Sequence, residues 1–266
     1  MKTNHKLSFL QLALIAACGV VLAVHRCGQP AGLSMVLVGA AAAVVLVLSA
    51  QAVLRMRETL QLKPAAPDKL GFAMLAASGM VFLLAAALFL MQGDASSLLR
   101  IITALFCGCC GAAAFLRLSL RDSGKNAAVF SLVPIFFVSF YLLMFYRSNG
   151  DNPYLHQFGY EVAVLLLTLL ALYATVAGRF EKARPLFRTA TCSIALCLLA
   201  QEMFSLLLMS RTIFAIPGFS LGTAVMLAAC GLLLCYGLFI PPVHEVFADD
   251  PVDEAEQEKD SDTIEE

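Results

Sequence analysis

Residues 161–178 read EVAVLLLTLLALYATVAG, residues 179–188 read RFEKARPLFR, and residues 189–209 read TATCSIALCLLAQEMFSLLLM. Two long apolar runs are joined by a turn that carries Arg179, Lys182, Arg184 and Arg188. At about 1.5 Å per helical residue, each run spans the roughly 30 Å hydrocarbon core of a bilayer. Backbone polar groups in lipid must be satisfied within the segment, so each run reads as a helix. The unbroken apolarity also excludes the alternating pattern of a membrane β-barrel.

Composition extends that reading to the whole chain. Of 266 residues, 60% are hydrophobic and 14% charged. The mean hydropathy is +0.83. A globular domain holds about 45–50% apolar and roughly 25% charged residues. The spacing of apolar runs predicts an all-α bundle of eight spans, at about 8–25, 32–54, 71–92, 97–117, 127–147, 160–178, 186–209 and 214–239. Residues 1–242 form the transmembrane domain and residues 243–266 a disordered acidic tail, stopped from continuing the last span by Pro241 and Pro242. Ile15-Ala16-Ala17-Cys18 resembles the box before a lipid-modified cysteine. The apolar run continues through Val24, however, so the first span is expected to stay as an anchor.

The net charge of −1 conceals an asymmetry: the tail holds 11 of the 19 acidic residues, and Lys259 is its one basic residue. With eight spans and an inner N-terminus, inner segments carry Lys2, Lys6, Arg55, Arg57, Lys63, Lys69, Arg117, Arg121, Lys125, Arg179, Lys182, Arg184, Arg188 and Lys259. Outer segments carry Arg26, Arg100, Arg147 and Arg211. The positive-inside rule therefore places both termini in the cytoplasm. The same residues explain the basic loops without nucleic-acid binding, through topology and anionic lipid. Tyr146, Tyr154 and Tyr160 gather at the outer boundary, where their hydroxyls reach water in a chain without tryptophan.

Glu202 is the most deeply placed charge. It lies nine residues before Arg211, on the order of 13 Å below the outer helix end. An ionised carboxylate there needs a partner, and intramembrane ionisable groups mark function by default. Arg100, which enters the fourth span from the same side, is the expected partner if its side chain reaches down instead of snorkelling to headgroups. Glu161, Thr168 and Thr175 recur every seven residues, close to two helical turns, and so share one face. Thr191, Ala195, Glu202 and Ser205 make a matching stripe on the seventh span, with Gln201 beside it. Such facing stripes suit a solute path, and ordinary helix packing uses the same residues.

Other motifs read as structure. In Cys107-Gly108-Cys109-Cys110-Gly111 the thiols diverge around a helix, and zinc wants four convergent ligands, so no metal site is expected. Gly108 with Ala112, and Gly218 with Gly222, are spaced for close helix approach. Pro134 is expected to kink the fifth span. The nine cysteines lie mostly in apolar runs and imply no disulfide framework. Phosphate loops, HExxH, GxSxG and dinucleotide fingerprints are missing, so neither enzymatic activity nor a cofactor is expected.

The stretches Asp151-Asn152-Pro153, Tyr160-Glu161, Leu170-Ala171-Leu172-Tyr173 and Ala177-Gly178-Arg179-Phe180 resemble uncharacterised multi-pass membrane proteins of anaerobic Gram-positive bacteria. That resemblance implies a bacterial cytoplasmic membrane and carries over no functional residue. The leading expectation is a small-solute transport or solute-binding membrane component built around Glu202, opening toward the outer face. The alternative is a non-transporting scaffold or sensor whose acidic tail docks a cytoplasmic protein.

Overall fold

A computed structural model describes residues 5–27, 69–91, 97–122, 124–150, 159–180, 185–216 and 218–239. Their regular structure is entirely helical: α1 (His5–Arg26), α2 (Lys69–Met91), α3 (Ser97–Ser119), α4 (Gly124–Phe130), α5 (Val133–Asn149), α6 (Gly159–Phe180), α7 (Pro185–Ile213) and α8 (Leu221–Phe239). Counting α4 and α5 as one, six helices are long and apolar enough to cross a membrane, as in a multi-pass helical bundle. Gln11–Arg26 of α1 adds a shorter apolar segment. The expected span at 32–54 and the acidic tail lie outside the described residues.

The innermost helix is α8, most of whose side chains are buried, with α2 and α7 packed along it and α6 and α1 touching it. From there α2 pairs with α3, α3 meets α5, α5 meets α6, α6 meets α7, and α7 carries α1 on its flank. Large apolar side chains outside this core, such as Leu105, Phe136, Leu143 and Leu207, are 64–80% exposed. An outward apolar face of this kind suits lipid rather than water.

Contacts fix helix directions. Gln11 Nε2 donates to Ser193 Oγ at 3.1 Å, Gly19 lies against Ala200, and Arg26 reaches Glu202, so α1 and α7 run parallel. Gly79 faces Ala114 and Phe115 while Leu83 faces Gly111, so α2 and α3 run antiparallel. Phe89, near the end of α2, meets Gly222 at the start of α8, so that pair is antiparallel too. One end of the bundle therefore collects Arg26, Phe89, Glu161 and Gly222; the opposite end collects Asp122 and Tyr236.

Three local features differ from the sequence reading. The last helix starts at Leu221, not at 214, because residues 214–216 and 218–220 are non-helical. Gly218 there has φ +80°, which favours glycine, and its carbonyl accepts from Tyr141 Oη at 2.6 Å. Gly218 thus stands outside the helix and is no half of a close-approach motif; Gly222 alone packs, against the Phe89 ring. Gly108 likewise faces open space, and it is Gly111 that lets α3 approach the Gly79 carbonyl and Leu83.

The expected bend near Pro134 is a division between α4 and α5 at Ser131 and Leu132. Proline in the first turn of α5 supplies no N–H, and at the end of α4 Ser131 Oγ donates to the Ala128 carbonyl at 2.5 Å.

Candidate functional site

Where α1 ends, three helices bring charge together. Arg26 is the last residue of α1, Glu161 lies in the first turn of α6, and Glu202 lies late in α7. Arg26 Nη1 donates to Glu202 Oε2 at 2.8 Å, and Nη2 donates to Glu161 Oε1. One planar guanidinium thus serves two carboxylates, one through each terminal nitrogen, which a lysine ammonium does not reproduce. The Arg26 side chain is 11% exposed and both glutamates are 0% exposed. The guanidinium also sits over the Tyr160 ring, 4.9 Å from its centroid. Tyr160 is partly exposed, so ring and guanidinium together cover the carboxylates from the end of the bundle.

Close approach of α1 to α7 makes this possible. A Cβ on Gly19 would stand 2.5 Å from Ala200 Cβ and 2.9 Å from the Gln201 nitrogen. Any larger residue at position 19 pushes the two backbones apart, two turns before Arg26.

The carboxylates keep unused capacity. Among the described residues Glu161 Oε2, Glu202 Oε1, Thr168 Oγ1, Ser205 Oγ and both amide atoms of Gln201 are buried without a hydrogen-bond partner. Buried polar groups in folded proteins are nearly always partnered, so a concentration of orphans on α6 and α7 points to something that these helices contact besides each other. Glu202 and Ser205 lie three residues apart and share a helix face; Glu161 and Thr168 lie seven apart and do so too.

Five of the six sequence-derived site residues, Glu202, Gln201, Glu161, Thr168 and Ser205, are thereby buried along the α6–α7 interface. The sixth, Arg100, lies on another helix. It is half-buried on α3, which packs chiefly against α2, while Glu202 is held by Arg26. By sequence alone Arg26 is an outer flanking charge. Of the two inward stripes, Thr191 and Ala195 are also buried, whereas Thr175 sets its methyl group against Gly237 of α8.

A second ionic cluster closes the opposite end. Arg117 Nε donates to Asp122 Oδ1 at 2.9 Å, and Nη2 donates to Oδ2 at 3.2 Å. Tyr236 Oη of α8 donates to the same Oδ2, and its ring lies 5.5 Å from the Arg117 guanidinium. Arg121 and Asp122 take φ of 52° and 50°, strained for residues with side chains, so this clasp holds the turn after α3 in place.

The cysteine run behaves as packing. Cys107 and Cys110 are buried and Cys109 is exposed, and the Cys107 thiol donates to the Phe82 carbonyl at 3.3 Å. Among the described residues no three His, Cys, Asp or Glu side chains are grouped to hold a metal ion.

No family model, no curated protein and no solved structure matches this chain.

Proposed function

We propose that the protein is a bacterial cytoplasmic-membrane component that binds, and moves, a small solute through the polar seam between α1, α6 and α7. One observation carries this reading: Arg26 is shared by two fully buried carboxylates, on helices whose row of buried polar atoms has no partner among the described residues. A cluster meant only to pin helices together would be expected to satisfy its own members, because a partly satisfied network costs more than an apolar contact. The reading includes eight spans, both termini in the cytoplasm and no enzymatic activity.

Helix direction supports the topology. Arg26 ends α1 at one end of the bundle and Lys69 opens α2 at the other, the arrangement that a further span at 32–54 requires. In this orientation the Arg26 cluster faces outward and the Arg117–Asp122–Tyr236 clasp faces the cytoplasm. The acidic tail favours the competing reading, a scaffold or sensor that docks a cytoplasmic protein through residues 243–266. Deleting those residues separates the two. A solute phenotype that survives the deletion but is lost in Arg26→Ala supports the seam; a phenotype lost with the tail alone defeats it.

A further inference from the structure

The Arg26 cluster contains one cation and two carboxyl groups, a net of one negative charge when both are ionised. The described residues packed at this end of the bundle bury no second cation. Beyond Arg26, α1 offers only His25 at this end, α6 offers the Tyr160 phenol, α8 has no charged side chain, and α5, packed on α6, offers Arg147, which is exposed. The next cation on α7 is Arg211, exposed and nine residues further on. A buried, uncompensated carboxylate is costly, so the cluster calls for one further positive charge.

A second, independent feature describes that charge. Among the described residues, Ser205, 0% exposed and on the face of Glu202, has no partner for its hydroxyl, and Gln201, 1% exposed, has none for either amide atom. Ser205 Oγ and Glu202 Oε1 on one face of α7, with Glu161 Oε2 on the other carboxylate bonded by Arg26, leave acceptors for an incoming group. An ammonium head has three or more N–H donors and one charge, which matches this set; a lone proton would serve one carboxylate edge and leave the rest unmet. A divalent ion would overshoot the charge and takes six or more oxygen ligands.

We infer that the Glu161–Glu202–Ser205 seam is a binding site for a primary ammonium group, either the free ammonium ion or the amino end of a small organic solute. This rests on the solute-binding reading above and names its ligand chemistry.

The test uses the purified full-length chain in detergent, at fixed pH and ionic strength. Thermal unfolding is followed in ammonium, methylammonium, ethylammonium and tetramethylammonium chloride. Ammonium is expected to raise the midpoint saturably, and tetramethylammonium, which has a charge but no N–H, is not. A rise with ammonium alone identifies the free ion; a rise with methylammonium and ethylammonium as well identifies an organic amine. Glu202→Gln, which leaves Arg26 paired with Glu161, is expected to abolish the rise. Should that variant not fold, Ser205→Ala is expected to increase the half-saturating concentration about fivefold, the loss of one hydrogen bond. An equal rise in tetramethylammonium, or an unchanged response in both variants, overturns the inference. Uptake of labelled methylammonium into proteoliposomes separates the two readings. Binding without uptake defeats transport and leaves the site standing; uptake unchanged by Glu202→Gln defeats the site and leaves transport standing.

Discussion

Arg26 Nη1 lies 2.8 Å from Glu202 Oε2, although the two residues are 176 positions apart in the chain. The same guanidinium bonds Glu161, so a single side chain at the end of α1 ties that helix to α6 and α7. Removing it is therefore unequal to removing either carboxylate. Arg26→Ala strands two buried glutamates and is expected to cost about 3–5 kcal/mol, read as a lower unfolding midpoint in detergent. Glu202→Leu leaves a neutral Arg26–Glu161 pair and should cost far less. Arg100→Ala, on a helix packed elsewhere, should also be milder than Arg26→Ala. Equal losses for Arg26→Ala and Arg100→Ala would show that Arg26 holds no buried charge.

Arg26→Lys tests the fork itself. An ammonium is one point charge and cannot place two coplanar donors on separate carboxylates. The substitution keeps the charge, yet it should recover less than half of the stability lost in Arg26→Ala. Full recovery, measured in the same unfolding assay, would mean that charge alone matters.

Gly19 offers a steric handle on the same contact. Gly19→Val brings branched carbons onto Ala200 Cβ and the Gln201 backbone, and the overpacking should cost about 1–3 kcal/mol. Ala200→Gly in the same chain should restore only part, because the Gln201 nitrogen still stands 2.9 Å from any Cβ at position 19. Complete rescue would place the contact on Ala200 alone.

The clasp at the other end predicts an order of severity. Tyr236→Phe loses one hydrogen bond to Asp122 and should cost about 1–2 kcal/mol. Asp122→Ala strands the buried Arg117 guanidinium and should cost more, even though alanine removes no packing of comparable size. If Tyr236→Phe proved the more damaging, the ring and not the ion pair would be what secures the turn.

The bundle was legible because hydrophobic length is a local property: six helices fall where apolar runs of the required length predict them. The α7–α8 turn was not, because residues 213–220 are nearly as apolar as the helices they join. Its one signal was Ile216-Pro217-Gly218, a breaker pair that hydropathy does not register. The burial of Glu161, Thr168, Glu202 and Ser205 was legible from helical periodicity, since residues on one face rise and fall together. Their partner was not. Arg26 sits one residue beyond the predicted first span, where an arginine reads as a flanking charge, and only the parallel packing of α1 on α7 turns it inward. The available hint was that outer cations are few, so each has some reason to be tolerated.

Cys27 provides a topological test, because it is exposed immediately after Arg26. In a variant that keeps Cys27 as its sole cysteine, a membrane-impermeant maleimide is expected to label intact cells. A tag at residue 266 should be reached only in everted vesicles. Labelling of both from the same side would overturn the proposed orientation.

Coupling between Arg26 and Glu202 is the most direct measure of the shared-guanidinium site. Four chains are compared by reversible unfolding in mixed micelles: the parent, Arg26→Met, Glu202→Leu and the double variant. Arg26→Met strands two carboxylates in the parent and one in the Glu202→Leu background, so its cost is expected to fall by about 1–3 kcal/mol there. A cost that is the same in both backgrounds, within about 0.5 kcal/mol, would contradict the pairing from which the site is built.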